Sequence, residues 1–252
     1  MRKFILSNPF LYTLGLLFVF LVWLFISLSQ GHGNLIFPTP IETFSYTFNL
    51  LSSSYIYDCL GMSLLRTLEG FLYAFLLALV LGSLAGEIPP LQRFFKPMIL
   101  IFKSAPTAAF VFLFLVLSGT SRAPIWIVFL LAFPILYEAF VSGISAIPLE
   151  IKWATKVDSA TFFSTLTKIK IPLALPYIGL GVLNSFALSF KTEIMAEIIT
   201  GQTSPGLGGA IRVARNSDPS DLTPIFSIAL IAIVIILIVD LLTYLLRKKK
   251  SA

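Results

Sequence analysis

The chain has 252 residues, of which 57% are hydrophobic and only 12% charged, with a mean hydropathy of +0.94. That leaves too little polar surface to cover a water-soluble globule of this size, so the composition specifies an integral membrane protein. The net charge of +6 reads as a record of topology rather than a nucleic-acid surface, and the single Cys59 and single His32 exclude an internal disulfide and leave no zinc- or iron-type ligand cluster.

A helix needs roughly 20 apolar residues to cross about 30 Å of hydrocarbon. About six stretches qualify on that criterion: 9–28, 63–86, 97–118, 124–146, 173–199 and 224–246. The first follows Arg2 and Lys3 and runs apolar from Phe4 to Leu28. It is too long for a signal-peptide core and lacks a small-residue cleavage site, so it is expected to stay as a span. Gly31 to Asn34 and Pro38-Thr39-Pro40 interrupt the chain after it. The second carries Ala74, Ala78, Gly82 and Gly86 in every fourth position, a groove for another helix whose identity the sequence leaves open. Pro89-Pro90 follows the second span, Gly119 to Pro124 separates the third from the fourth, and Gly201 to Pro219 follows the fifth. Pro97, Pro124 and Pro224 are expected near helix starts, where a missing N–H is harmless.

With the N-terminus inside, the inner segments hold Arg2, Lys3, Arg93, Lys96, Lys152, Lys156, Lys168, Lys170 and Arg247 to Lys250, and the outer ones chiefly Arg122, Arg212 and Arg215. The expectation is therefore an all-α membrane protein, residues 1–252 forming a single transmembrane domain with both termini cytosolic. Cys59 would then lie outside, open to an impermeant thiol reagent. Arg247 to Lys250 reads as a basic stop after the last span.

Charges late in the fifth span are costly in lipid, so Lys191, Glu193 and Glu197 should face a cavity, a partner or one another. Glu193 and Glu197 lie one helical turn apart on one face. With Asn184, these three are the candidates for a translocation path, interhelical structure being the alternative reading. Arg66, Glu138 and Asp240 are isolated charges of lesser weight. Gly201 and Gly206 have the spacing of a phosphate-binding loop, but Leu207-Gly208 stands where Lys and Ser/Thr are needed, so no ATP site of that kind is present. The glycines from Gly201 to Gly209 are expected to serve turns or gating, an ordinary flexible loop being the alternative.

The segment 148–172 is too polar to span and too apolar to float free. Leu149, Trp153, Val157 and Ala160 form a stripe at helical spacing, with Lys152, Lys156 and Asp158 on other faces. Such a stripe suits a protein docking surface; a helix lying on the bilayer is the alternative.

At this loop the chain resembles the permeases of bacterial binding-protein-dependent ATP-binding-cassette importers, in the aliphatic sulfonate, taurine and nitrate branch. The family's Glu-Ala-Ala, glycine and Ile-x-Leu-Pro pattern looks like Trp153-Ala154-Thr155, Ser159 and Ile169-Lys170-Ile171-Pro172, followed by Ala174-Leu175-Pro176-Tyr177-Ile178. Phe37 to Pro40, Ser63 to Gly70, Lys103 to Pro106, Phe133 to Leu136, Ala196-Glu197 and Gly206-Leu207-Gly208 are similar in the same order, so the resemblance covers residues 36–211. Trp153 replaces the pattern's glutamate and Ser159 its glycine; Asp158 and Ser159 can still make a tight bend through side-chain hydrogen bonds to the backbone.

The resemblance implies coupling helices between the fourth and fifth spans, with Glu150, Trp153, Ala154, Val157, Asp158, Ser159, Ala160, Ile169 and Pro172 contacting an ATPase. It further implies two ATPase subunits holding ATP and magnesium, none bound by this chain, a second permease copy, an external solute-binding protein, and a bacterial inner-membrane location. The rival reading from the residues is a secondary transporter relaying protons through Glu193, Glu197 or Glu138, against which no inverted repeat is evident. A membrane-embedded enzyme lacks a catalytic constellation.

Overall fold

Lipid offers no hydrogen-bond partners, so a chain this apolar must close its backbone bonds within helices or a barrel. The computed structural model describes residues 8–29, 37–104, 106–157, 161–201 and 205–251, and among them every regular element is helical. In chain order these are α1 (Asn8–Ser29), α2 (Pro40–Leu51), α3 (Ser54–Glu87), α4 (Pro89–Ser104), α5 (Thr107–Ser145), α6 (Leu149–Val157), α7 (Phe162–Thr165), a π-helical turn (Leu166–Lys170), α8 (Ile171–Thr200), α9 (Leu207–Ser217) and α10 (Thr223–Ser251). Phe10–Ser29, Ser54–Glu87, Thr107–Ser145 and Phe162–Thr200 are long and apolar enough to cross a membrane, and Thr223–Val239 is a shorter apolar helix.

The core is α3, α5 and α8. The small-residue stripe of α3 meets α5: a Cβ on Gly82 would lie 2.8 Å from Phe140 Cβ, and one on Gly86 2.9 Å from Ile144 Cβ. Hydrogen at these positions lets the two backbones approach to a distance that dispersion forces reward. Phe133, Leu136, Phe140 and Ile144 fill the space with Ala174 and Ile178 of α8. Side-chain contacts also orient the bundle. Ser63 of α3 meets Glu197 of α8 at one end, and Glu87 pairs with Lys170 at the other, so α3 and α8 run antiparallel.

Residues 97–118, expected as one span, are divided. Pro106 caps α5 in extended backbone (φ −66°, ψ 116°), so α4 ends at Ser104 and a new helix starts at Thr107. The expected loop from Gly119 to Pro124 shrinks to one residue: Gly119, with φ 76° and ψ 174°, breaks α5 into two arms. That region of backbone space is essentially reserved for glycine. Pro97 is inside α4 and Pro124 inside α5 rather than at their starts, while Pro224 is the second residue of α10.

Two helices replace expected breaks. Thr39-Pro40-Ile41-Glu42 forms a reciprocal capping box, Glu42 N donating to Thr39 Oγ1 at 3.2 Å and Thr39 N to Glu42 Oε2 at 2.8 Å. It starts α2, which lies on α10, where Ser227 Oγ donates to Thr43 O at 3.1 Å. The second is α9, within the expected loop 201–219. Cys59 is also placed differently from expectation. It is fully buried among Ile56, Phe190, Ile194 and Leu207, because the helix containing the second span begins at Ser54 and carries it into the core.

Most of α1 is apolar and exposed on every side, as a helix immersed in lipid is. It is held near its end, where Trp23 Nε1 donates to Pro38 O at 2.9 Å and Ser27 Oγ to Phe37 O at 2.9 Å. The Trp23 ring also packs 6.1 Å from Phe226, centre to centre.

Candidate functional site

Spacing on α3 places Ser63, Arg66 and Thr67 on one buried face. Facing them, α8 presents Glu193 and Glu197, both with no exposed surface. Arg66 Nη1 is 2.5 Å from Glu197 Oε1 and also donates to Pro205 O at 3.0 Å. Ser63 Oγ lies 2.9 Å from both carboxylate oxygens, and Gly208 N donates to Oε2 at 2.8 Å. Leu207 N donates to Ser63 Oγ at 2.9 Å. The carboxylate of Glu197 thus ties three segments together and occupies the N-terminus of α9, where unpaired N–H groups and the helix dipole favour an anion.

The glycines follow from this packing. Gly201 closes α8 in the left-handed region (φ 70°, ψ 31°), its N–H donating to Glu197 O. A Cβ on Gly206 would enter the Glu197 carboxylate, and one on Gly208 would strike Ile194 O. Of the glycines expected to serve turns or gating, Gly201 makes a turn, and Gly206 and Gly208 form a cradle around one side chain.

Glu193 lies one turn further along α8, and neither of its oxygens has a hydrogen-bond partner among the described residues. Asn184 and Lys191 are seven residues apart on another, exposed face of α8, with Leu188 and Met195. The four path candidates therefore divide: Asn184 and Lys191 face outward, while Glu193 and Glu197 border no open space. Arg66, given little weight in the sequence, is the partner of Glu197. Only contact across the fold reveals this, since the two are 131 positions apart. Glu138 is exposed and paired with Lys103 Nζ at 2.8 and 2.9 Å.

At the opposite end, α6 projects from the bundle. Leu149 and Trp153 are 66% and 67% exposed, and Lys152 Nζ donates to Ser145 O at 3.1 Å. Glu150, Ile151, Ala154 and Thr155 on α6 line a cavity of about 540 Å³ together with Ile169 of the π-helical turn. Three residues expected in the docking loop, Glu150, Ala154 and Ile169, are therefore brought to one groove. Val157 is the last residue of α6, and Asp158, Ser159 and Ala160 lie outside the described residues. Sequence reasoning missed Phe162 and Phe163, 49% and 71% exposed at the start of α7. Two aromatics in a polar loop were the available signal.

The segment after α7 also differs from expectation. The helix of the fifth span starts at Phe162, not near Leu173. Pro172 sits just beyond the π-helical turn, and the wider turn makes room for a ring that would clash with a preceding carbonyl in a regular helix.

Residues 78–252 match the family described as the binding-protein-dependent transport system inner membrane component. An ABC transporter permease protein of Brucella melitensis is 27% identical over 184 residues, covering 73% of this chain and 74% of that one. The nitrate import permease protein NrtB of Synechococcus elongatus is 26% identical over 223 residues, covering 83% of this chain and 78% of its own. Among solved structures, the inward-facing MetNI methionine ABC transporter superposes with a TM-score of 0.64 at 18% identity, over 74% of this chain and 92% of the other. A helical bundle with that fold, apolar enough to span the bilayer and matched over its last two thirds, belongs to the binding-protein-dependent transport system inner membrane component family and is the permease subunit of an ATP-binding-cassette importer.

Proposed function

We propose that the end of the bundle carrying α6 faces the cytosol and docks an ATPase in the groove between α6 and the π-helical turn. The observation that carries this is the groove lined by Glu150, Ala154 and Ile169, beside an α6 that holds Leu149 and Trp153 out into solvent. Apolar side chains so exposed on a polar helix suit a partner surface, and the basic residues Lys152 and Lys168 stand at the same end. ATP and magnesium belong to the docked subunit. This chain contributes the path, paired with a second permease copy and fed by an external binding protein.

The solute is a small anion of the sulfonate, taurine or nitrate class, a vitamin-precursor solute being the alternative. The nitrate-import relative and the sulfonate, taurine and nitrate resemblance support this, as does Lys191 on the exposed face of α8 with Asn184. Proton relay through Glu197 has no support in the geometry, since that carboxylate is fully engaged by Arg66, Ser63 and Gly208.

Replacing Ala154 by Glu in the reconstituted importer tests the docking. The expected result is loss of the ATPase from the purified complex while the permease remains in the membrane. Full retention of the ATPase with normal uptake would overturn it. Titrating the binding protein with nitrate, taurine and an alkanesulfonate tests the solute class, and binding of none of them would remove it.

A further inference from the structure

We infer that the Glu87–Lys170 ion pair is the joint through which movement of the docking segment enters the spans, making Glu87 and Lys170 positioning residues for transport. Lys170 is the last residue of the π-helical turn, and Glu87 is the last residue of α3. Their side chains are 6% and 19% exposed and are hydrogen-bonded across 83 residues of chain. The Lys103–Glu138 pair, 44% and 48% exposed, is the contrasting case of a screened surface contact. A lysine nearly out of water has strong reason to stay with its carboxylate, because separating them leaves its buried ammonium without compensation.

The position of the pair gives it a mechanical role. α3 is tied at both ends to the segment that carries α8, by the partly buried pair of Glu87 with Lys170, just before α8, at one end and by the buried pair of Arg66 with Glu197 at the other. Between these points α3 lies against α5 at the contact distances of Gly82 and Gly86, which leaves little room to slide. A push on α6 or α7 that shifts Lys170 therefore moves α3 and α8 as one frame rather than bending α8 alone. The wider turn at 166–170 is where a helix can absorb or release such a shift, since an extra residue per turn loosens the ladder.

This inference rests on the docking reading, and the test separates the two. The complete importer, with its ATPase and binding protein, is reconstituted in liposomes carrying Glu87→Gln, Lys170→Met or the exchange Glu87→Lys with Lys170→Glu. Uptake, ATP hydrolysis and the amount of ATPase in the purified complex are measured together. For either single variant the expected result is a normal complement of ATPase, continued hydrolysis, and uptake per ATP lowered on the order of five-fold or more, with recovery in the exchanged pair. Unchanged uptake per ATP in both single variants, with the complex intact, overturns the joint. Should a single variant fail to accumulate, Glu87→Asp and Lys170→Arg take its place, keeping the charge but altering its reach, and the same lowered or unchanged ratio decides. Failure of docking reads out differently: the Ala154→Glu complex keeps its ATPase and its coupling, whatever the pair does.

Discussion

Arg66 and Glu197 stand 131 residues apart in the chain and 2.5 Å apart in the structure, the guanidinium 7% exposed and the carboxylate not at all. Neither group could be left alone there. Removing one partner of a buried pair costs about 3–5 kcal/mol, whereas replacing both with apolar groups of similar size can be nearly neutral. Arg66→Met or Glu197→Leu alone should therefore lower the thermal unfolding temperature of the purified permease more than the double variant does. Additive losses would show that the pair contributes no mutual stabilisation.

Glu197→Gln retains an oxygen to accept from Ser63 or Gly208 and loses the charge that faces Arg66. Its stability should fall between wild type and Glu197→Leu. The order can be read from thermal melts in one detergent, and Glu197→Gln melting with Glu197→Leu would count against the hydrogen-bond account.

Gly206 and Gly208 are predicted to reject alanine for lack of space. A Cβ there meets Glu197 or Ile194, whereas Gly61 and Gly179 have nothing within 4 Å. Gly208→Ala should reduce the folded yield in membranes while Gly61→Ala and Gly179→Ala leave it unchanged. Equal yields for all three would contradict the cradle.

Two glycines with positive φ should respond oppositely to asparagine. Gly119, at ψ 174°, occupies a region that no side-chain-bearing residue favours. Both Gly119→Ala and Gly119→Asn should cost about 1–3 kcal/mol. Gly201, in the ordinary left-handed region, should tolerate Asn better than Ala. Paired unfolding measurements on the four variants check the contrast.

Cys59 is buried, so an impermeant maleimide should leave intact cells unlabelled whichever way the chain is oriented. A cysteine introduced in place of Val213, which is 55% exposed on α9, in a Cys59→Ala background supplies the accessible thiol. Labelling of whole cells is expected if α6 is cytosolic. Labelling only after lysis would reverse the orientation.

The sequence showed the apolar stretches because a span must carry its hydrophobicity continuously, and most of them reappear within the helices around α3, α5, α8 and α10. It also set α6 apart from the spans, since Leu149 and Trp153 stand out against Lys152. The helix α2 was legible but unread: Thr39 followed by Glu42 is a capping box, which the surrounding prolines disguised as a break. Pro106 similarly marks the division of residues 97–118, although the apolar run continues through it. Cys59 misled because a span was counted from Ser63, whereas the helix begins at Ser54. The Arg66–Glu197 contact was beyond local reasoning altogether, because periodicity places each residue on a face without naming what lies opposite.

The attachment of α1 bears on how the protein is made. Trp23 packs against Phe226, a residue synthesised after nearly all the other spans. During translation α1 has only the adjoining Phe37, Pro38 and Phe44 to hold it until the last span arrives. Its uniformly apolar exterior and self-contained backbone bonds make that wait harmless. Assembly can thus be completed by docking a ready-made span at Phe37, Pro38 and Phe226, late and without disturbing the core.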